Sequence, residues 1–111
     1  MDRHKDEVVS VLLRARKLIE DPARWCRRAT SGEAACLGIY IGRASAQSYF
    51  TAECFSAALA LVVNAIDRDP THGALANMLT IGLWNDAPDR THAEVLAALD
   101  RAIELRLQEV T

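Results

Sequence analysis

The chain has 111 residues, half of them apolar and a quarter charged, with a formal net charge of −2. This length suffices to bury a core without metal or disulfide staples, and the composition excludes a disordered chain. The small net charge speaks against a general nucleic-acid surface or an anionic-membrane surface, so neither partner is expected.

The charge is unevenly spread. Residues 1–30 carry eight Lys/Arg against five acids, hence +3, and residues 31–111 carry five against ten, hence −5. A mildly basic front is joined to an acidic remainder, which reads first as a set of solvated helix faces. Cys26, Cys36 and Cys54 form an odd set without a CxxC pair, which fits neither a disulfide framework nor a zinc cluster. Free thiols packed as small apolar residues fit a reducing compartment. The polar start Met1-Asp2-Arg3-His4-Lys5-Asp6-Glu7 does not read as a signal peptide, and no apolar run reaches the ~20 residues needed to span a bilayer. A cytoplasmic protein is expected.

Val8, Val11, Leu12, Ala15, Leu18 and Ile19 recur at helical spacing and predict a helix over about 5–20, with Ser10, Arg14 and Lys17 on its outer face. Asp21-Pro22 reads as an N-cap followed by proline, opening a short helix that carries Trp25 and Cys26. Arg24, Arg27 and Arg28 crowd around Trp25 and are candidates for binding an anionic partner group.

Thr30-Ser31-Gly32-Glu33 is a loop and capping cluster. The run Ala34 to Gly42 has an Ile-Tyr-Ile centre compatible with a strand, but its Ala-Ala-Cys-Leu opening favours a helix. Gly38 and Gly42, four apart, would then let a second helix approach closely. After a polar connection at Ser45–Ser48, Ala52, Phe55, Ala58, Leu59, Val62, Val63 and Ile66 mark a helix over about 50–67, apolar nearly all round and therefore central. Asp69-Pro70 repeats the cap-and-proline device before a helix through Leu75, Met78, Leu79 and Leu83, ending near Trp84-Asn85. No tetratricopeptide-like repeat pattern accompanies the two Asp-Pro pairs.

The last helix is the clearest. Thr91 and Glu94 have capping-box spacing, and Val95, Leu96, Leu99, Ala102, Ile103, Leu107 and Val110 give its apolar stripe, with Asp100, Arg101, Glu104 and Arg106 solvated. The expected fold is all-α: one compact domain over 1–111, a bundle of about five helices around the central apolar one.

Between the last two helices stands the dense polar turn Trp84-Asn85-Asp86-Ala87-Pro88-Asp89-Arg90-Thr91-His92. Asn85 suits the left-handed position that ends a helix, Asp86 and Asp89 suit bonds to turn amides, and Pro88 fixes direction. The turn thus reads as a rigid corner, leaving Asp86, Asp89, Arg90 and His92 as candidates for touching a partner. Three carboxylates and an imidazole within Asp86–Glu94 match neither an EF-hand loop nor HExxH, and His4 and His72 supply no evident further ligand, so no metal and no cofactor is expected. Apolar settings around the cysteines suppress thiolate chemistry, so no catalytic residue is assigned.

The run Trp84-Asn85-Asp86-x-Pro88-x-Arg90-Thr91-x-x-Glu94-Val95, followed by Leu99-Asp100-Arg101-Ala102-Ile103, resembles the C-terminal signature of a family of small bacterial and phage proteins known only as a domain of unknown function. Cys36-Leu37-Gly38 resembles that family's short central motif, and Ala15 with Leu18-Ile19 its first helix; residues 40–70 match weakly. The resemblance implies a fold and a setting that includes phages and prophages. It implies no activity and no catalytic residue.

The reading that follows is a non-enzymatic protein-binding module, an accessory protein of a phage or prophage that inhibits or modulates a host protein such as a defence nuclease complex. Its partners would be a host or phage protein, with a homodimer also open. Two alternatives stand beside it: a DNA-binding transcriptional regulator using the basic N-terminal third, which requires salt-dependent binding to duplex DNA, and a small enzyme at the Asp86–Glu94 turn, which requires perturbed carboxylates beside a pocket.

Overall fold

The computed structural model describes residues 3–26, 37–46, 51–71 and 73–110. They form five α-helices: α1 (Arg3–Ile19), α2 (Leu37–Ser45), α3 (Thr51–Ala65), α4 (Ala74–Asn85) and α5 (His92–Val110), with one 3-10 turn at Pro22–Arg24 after α1. The fold is all-α, and no strand occurs among the described residues.

The apolar stripe of α1 is buried as its spacing requires: Val8, Val11, Leu12, Ala15 and Ile19 have no exposed surface. On α3, Cys54, Ala58, Leu59, Val62 and Val63 are likewise wholly buried. Helix α3 packs against α1, α2, α4 and α5, which makes it the central element. Only a narrow strip through Ala52, Glu53, Ser56 and Asn64 faces water. Val95, Leu99 and Ala102 of α5 close the core from the other side.

The Ile-Tyr-Ile segment is helical from Leu37 onward, while Ala34–Cys36 lie outside the described residues. Its two glycines serve different neighbours. A Cβ on Gly38 would stand 3.3 Å from the Met78 methyl of α4, and one on Gly42 would stand 3.7 Å from the Phe55 ring of α3. Arg14, placed by spacing on the outer face of α1, reaches across to donate to the carbonyl of Ala44 near the end of α2 at 3.2 Å. Its stem packs while its head satisfies a terminal carbonyl.

Two helix starts differ from the sequence reading. At Asp21-Pro22 the aspartate does cap, accepting from Ala23 N–H at 2.9 Å, but the helix is one 3-10 turn and Trp25 is already extended. At Asp69-Pro70 no helix begins. Helix α4 starts at Ala74 behind an N-cap Gly73 that has no side-chain cap bond. The reason is Asn77, which is buried and takes hold of Thr71: its Oδ1 accepts from the Thr71 N–H at 2.9 Å and hydroxyl at 3.2 Å, and its Nδ2 donates to the Thr71 carbonyl at 3.0 Å. These bonds hold residues 69–71 as a loop. Leu107 of α5, assigned to the apolar stripe, is 45 % exposed.

Candidate functional site

The polar corner is built around one side chain. Asn85 is the last residue of α4 and is wholly buried. Its Oδ1 accepts from the Trp25 indole N–H at 2.7 Å and from the backbone N–H of Leu37, the first residue of α2, at 3.2 Å. Its Nδ2 donates to the Cys26 carbonyl at 3.0 Å and to Asp86 Oδ1 at 3.1 Å. One amide thereby fastens the end of α4, the segment after the 3-10 turn and the start of α2. The adjoining Tyr40 hydroxyl donates to the Arg24 carbonyl at 2.6 Å and holds the same segment.

This corrects the left-handed assignment of Asn85. Asp86 is the C-cap, at φ −87° and ψ 1°, and its N–H closes onto the Gly82 carbonyl at 2.9 Å. Among the described residues Asp67 is the one non-glycine with positive φ, at 61°.

Arg90 locks the far side of the turn. Its Nε donates to the Trp84 carbonyl at 2.8 Å, its Nη1 to Glu94 Oε2 at 3.0 Å, and its guanidinium lies 3.9 Å from the centre of the Trp84 ring. The planar cation thus satisfies a carbonyl at the negative end of α4 while stacked on an indole. The capping box forms as spaced: Glu94 Oε1 accepts from the Thr91 N–H at 2.9 Å, and Thr91 Oγ1 accepts from the Glu94 N–H at 3.2 Å. His92 Nε2 lies 2.7 Å from the Ile19 carbonyl, which only accepts, so this nitrogen carries the proton and ties α5 to the end of α1.

The candidate residues therefore separate into two groups. Arg90 and His92, which local spacing leaves spare for a partner, are held inside the corner. Asp86, Asp89 and Arg24 are exposed, and Asp89 has no hydrogen-bond or ionic partner among the described residues. Arg27 and Arg28 lie outside the described residues, as does Cys36. Of the basic front, Arg16 is bound to Asp100 of α5 at 2.5 Å and lies 3.8 Å from Glu20. Asp100 is thus a cross-helix partner as well as a solvated residue.

Glu94 accepts bonds from both the backbone and the hydroxyl of Thr91. The Thr91 backbone N–H, then the Thr91 hydroxyl and Arg90, hold its carboxyl below the usual range. A depressed folded pKa contributes stability that is present above the unfolded value of about 4.3 and is lost as pH falls through the folded one. Thermal melts between pH 6 and 3 are expected to show this loss in the wild type and less of it in Glu94→Gln. Equal pH dependence in the two proteins would remove Glu94 as its source.

An open cleft of about 260 Å³ runs between Trp84, Arg90 and Glu94 on one side and Asp67 and Arg101 on the other. Its cations face internal acids, Arg90 with Glu94 and Arg101 with Asp67 at 3.5 Å. No group of three or more His, Cys, Asp or Glu converges for a metal among the described residues. Cys54 is wholly buried, and burial pushes its thiol up, away from the reactive thiolate.

One surface has no counterpart in the sequence reading. Leu75, Leu79 and Leu83 of α4 point outward, 74 %, 62 % and 80 % exposed, while Asn77, Ile81 and Asn85 occupy the buried face. Helix α4 carries no charged residue, so its pattern does not mark which side meets water. The residues that betray the inner face are the two asparagines, whose polarity points the wrong way.

A family model, described as a family of unknown function (DUF6197), matches residues 3–105. No curated protein and no solved structure matches the chain.

Proposed function

The chain belongs to that family of unknown function, DUF6197, and from this premise we propose that it is a non-enzymatic protein-binding module whose polar corner meets the partner. Its setting in this reading is a phage or prophage, where it inhibits or modulates a host protein such as a defence nuclease complex. The observation that carries the reading is Asp89, an exposed carboxylate without a hydrogen-bond or ionic partner among the described residues, mounted on a turn fixed by Asn85, Arg90 and His92. A group held in place before the partner arrives loses little entropy on binding, so the rigid turn favours recognition. The acidic balance of residues 31–111 suits a basic partner surface, including one that otherwise holds nucleic acid.

The test is affinity capture from a bacterial host lysate with the full chain and its Asp89→Lys variant, identified by mass spectrometry at low and high salt. Asp89 is exposed and has no hydrogen-bond or ionic partner among the described residues, so the variant is expected to melt like the wild type. Expected is a protein captured by the wild type, lost with Asp89→Lys and weakened by salt. Equal capture by both would remove the corner as the binding surface.

A further inference from the structure

We propose that the outward face of α4 pairs antiparallel with the α4 of a second copy of this chain, about a two-fold axis passing beside Leu79. The face is a row of leucines on a helix with no charged residue, and such contiguous exposed apolar surface marks an association site. The row has a centre: Leu75 and Leu83 lie four residues to either side of Leu79. A two-fold axis there sets Leu79 against its own copy and Leu75 against the copy's Leu83, so the surface is its own complement.

The small residues share that centre. Ala76 and Gly82 lie three residues to either side of Leu79, and nothing stands within 4 Å of where a Cβ on Gly82 would be. The axis sets this bare stretch of backbone against the copy's Ala76, which lets the two helices approach closely.

The helix ends decide the direction. The N-terminus of α4 has no side-chain cap and no acid in its first turn, leaving amide groups with partial positive charge. Asp86, seven residues after Leu79, continues the line of the row at the other end and is exposed. Antiparallel pairing brings the carboxylate of each copy to the uncapped amides of the other; parallel pairing would set the two Asp86 side chains together. The leucines of two copies would bury on the order of 800 Å², about half of a standard interface, with Ala76, Thr80, Ala87 and Pro88 at the margins. The pairing goes beyond the partner reading above and leaves Asp89 for it.

Sedimentation equilibrium of the full chain up to about 100 μM is expected to give twice the 12.2 kDa chain mass, and Leu79→Glu half of that with unchanged helical circular dichroism. With Cys26 and Cys36 replaced by serine, Leu79→Cys is expected to form a covalent dimer under mild oxidant. Leu75→Cys is expected to do so only when mixed with Leu83→Cys, because the sulfurs must come within disulfide range. A monomeric wild type, a dimer indifferent to Leu79→Glu, or self-crosslinking of Leu75→Cys alone would each overturn the pairing. A monomer that still shows Asp89-dependent capture would leave the partner reading standing, and a dimer without such capture would leave only the pairing.

Discussion

Asn85→Ala is expected to be among the most damaging single substitutions in the chain, costing about 3–5 kcal/mol, a large share of the ~5–15 kcal/mol that holds a domain folded. The loss comes from the groups left behind. The Trp25 indole N–H, the Leu37 amide and the Cys26 carbonyl all use the Asn85 side chain, and it is wholly buried, so water does not readily replace it. Asn85→Asp separates the two halves of the amide. The aspartate keeps an acceptor for Trp25 and Leu37 but sets a second oxygen against the Cys26 carbonyl and Asp86. A buried carboxylate facing acceptors is held above its unfolded pKa of about 3.9, so its penalty grows as pH rises through that value. When protonated it donates to Cys26 and the penalty shrinks. Urea denaturation at pH 3.5 and pH 7 is expected to show Asn85→Asp closest to wild type at the acid end. A loss under about 1 kcal/mol for Asn85→Ala would show that the corner does not depend on this side chain.

Why this residue escapes a reading of the sequence is a matter of distance along the chain. Trp25 and Leu37 are 60 and 48 residues from Asn85, and its Cys26 partner is 59 away. Local chemistry offers only the asparagine's preference for ending helices, which here loses to three tertiary bonds. His92 is the same case, with its Ile19 partner 73 residues away. The capping box of Thr91 and Glu94, by contrast, is complete within four residues, and spacing alone places it.

The helices follow the same division. In α1 and α5 charges alternate with apolar residues at helical period, so the buried stripe is legible from the pattern. Helix α3 is apolar enough that only a central position accommodates it. Helix α4 offers leucines on one face and an Asn-Ile-Asn line on the other, and hydropathy ranks the two the wrong way round. What reverses the ranking is satisfaction of polar groups: Asn77 anchors Thr71 and Asn85 anchors three segments, so both asparagines are inside and the leucines are left outside. The misplaced start at Asp69-Pro70 has the same origin, because the Asn77 bonds to Thr71 hold that segment in a loop ahead of the helix.

Arg90→Ala is expected to cost about 2–3 kcal/mol, with most of the loss lying in the Trp84 contacts and little in the ion pair. The Arg90 side chain is 17 % exposed, its guanidinium covers the Trp84 ring, and its Nε serves a helix-terminal carbonyl. A charge-assisted bond of this kind contributes about 1.5–3 kcal/mol and a partly desolvated stack about 1 kcal/mol more, before losses to relaxation. The Glu94 partner is half exposed, and such a pair contributes under about 1 kcal/mol. Arg90→Lys is therefore expected to recover little, because lysine keeps the charge but lacks both Nε and the planar face. Denaturation followed by tryptophan fluorescence checks the order: Glu94→Gln mildest, Arg90→Lys close to Arg90→Ala. If Glu94→Gln cost as much as Arg90→Ala, the ion pair would be the principal tie instead. Because Asp89 adjoins Arg90, a corner loosened at Arg90 presents its carboxylate in many orientations. Arg90→Ala is thus expected to weaken Asp89-dependent capture under conditions where the chain remains folded.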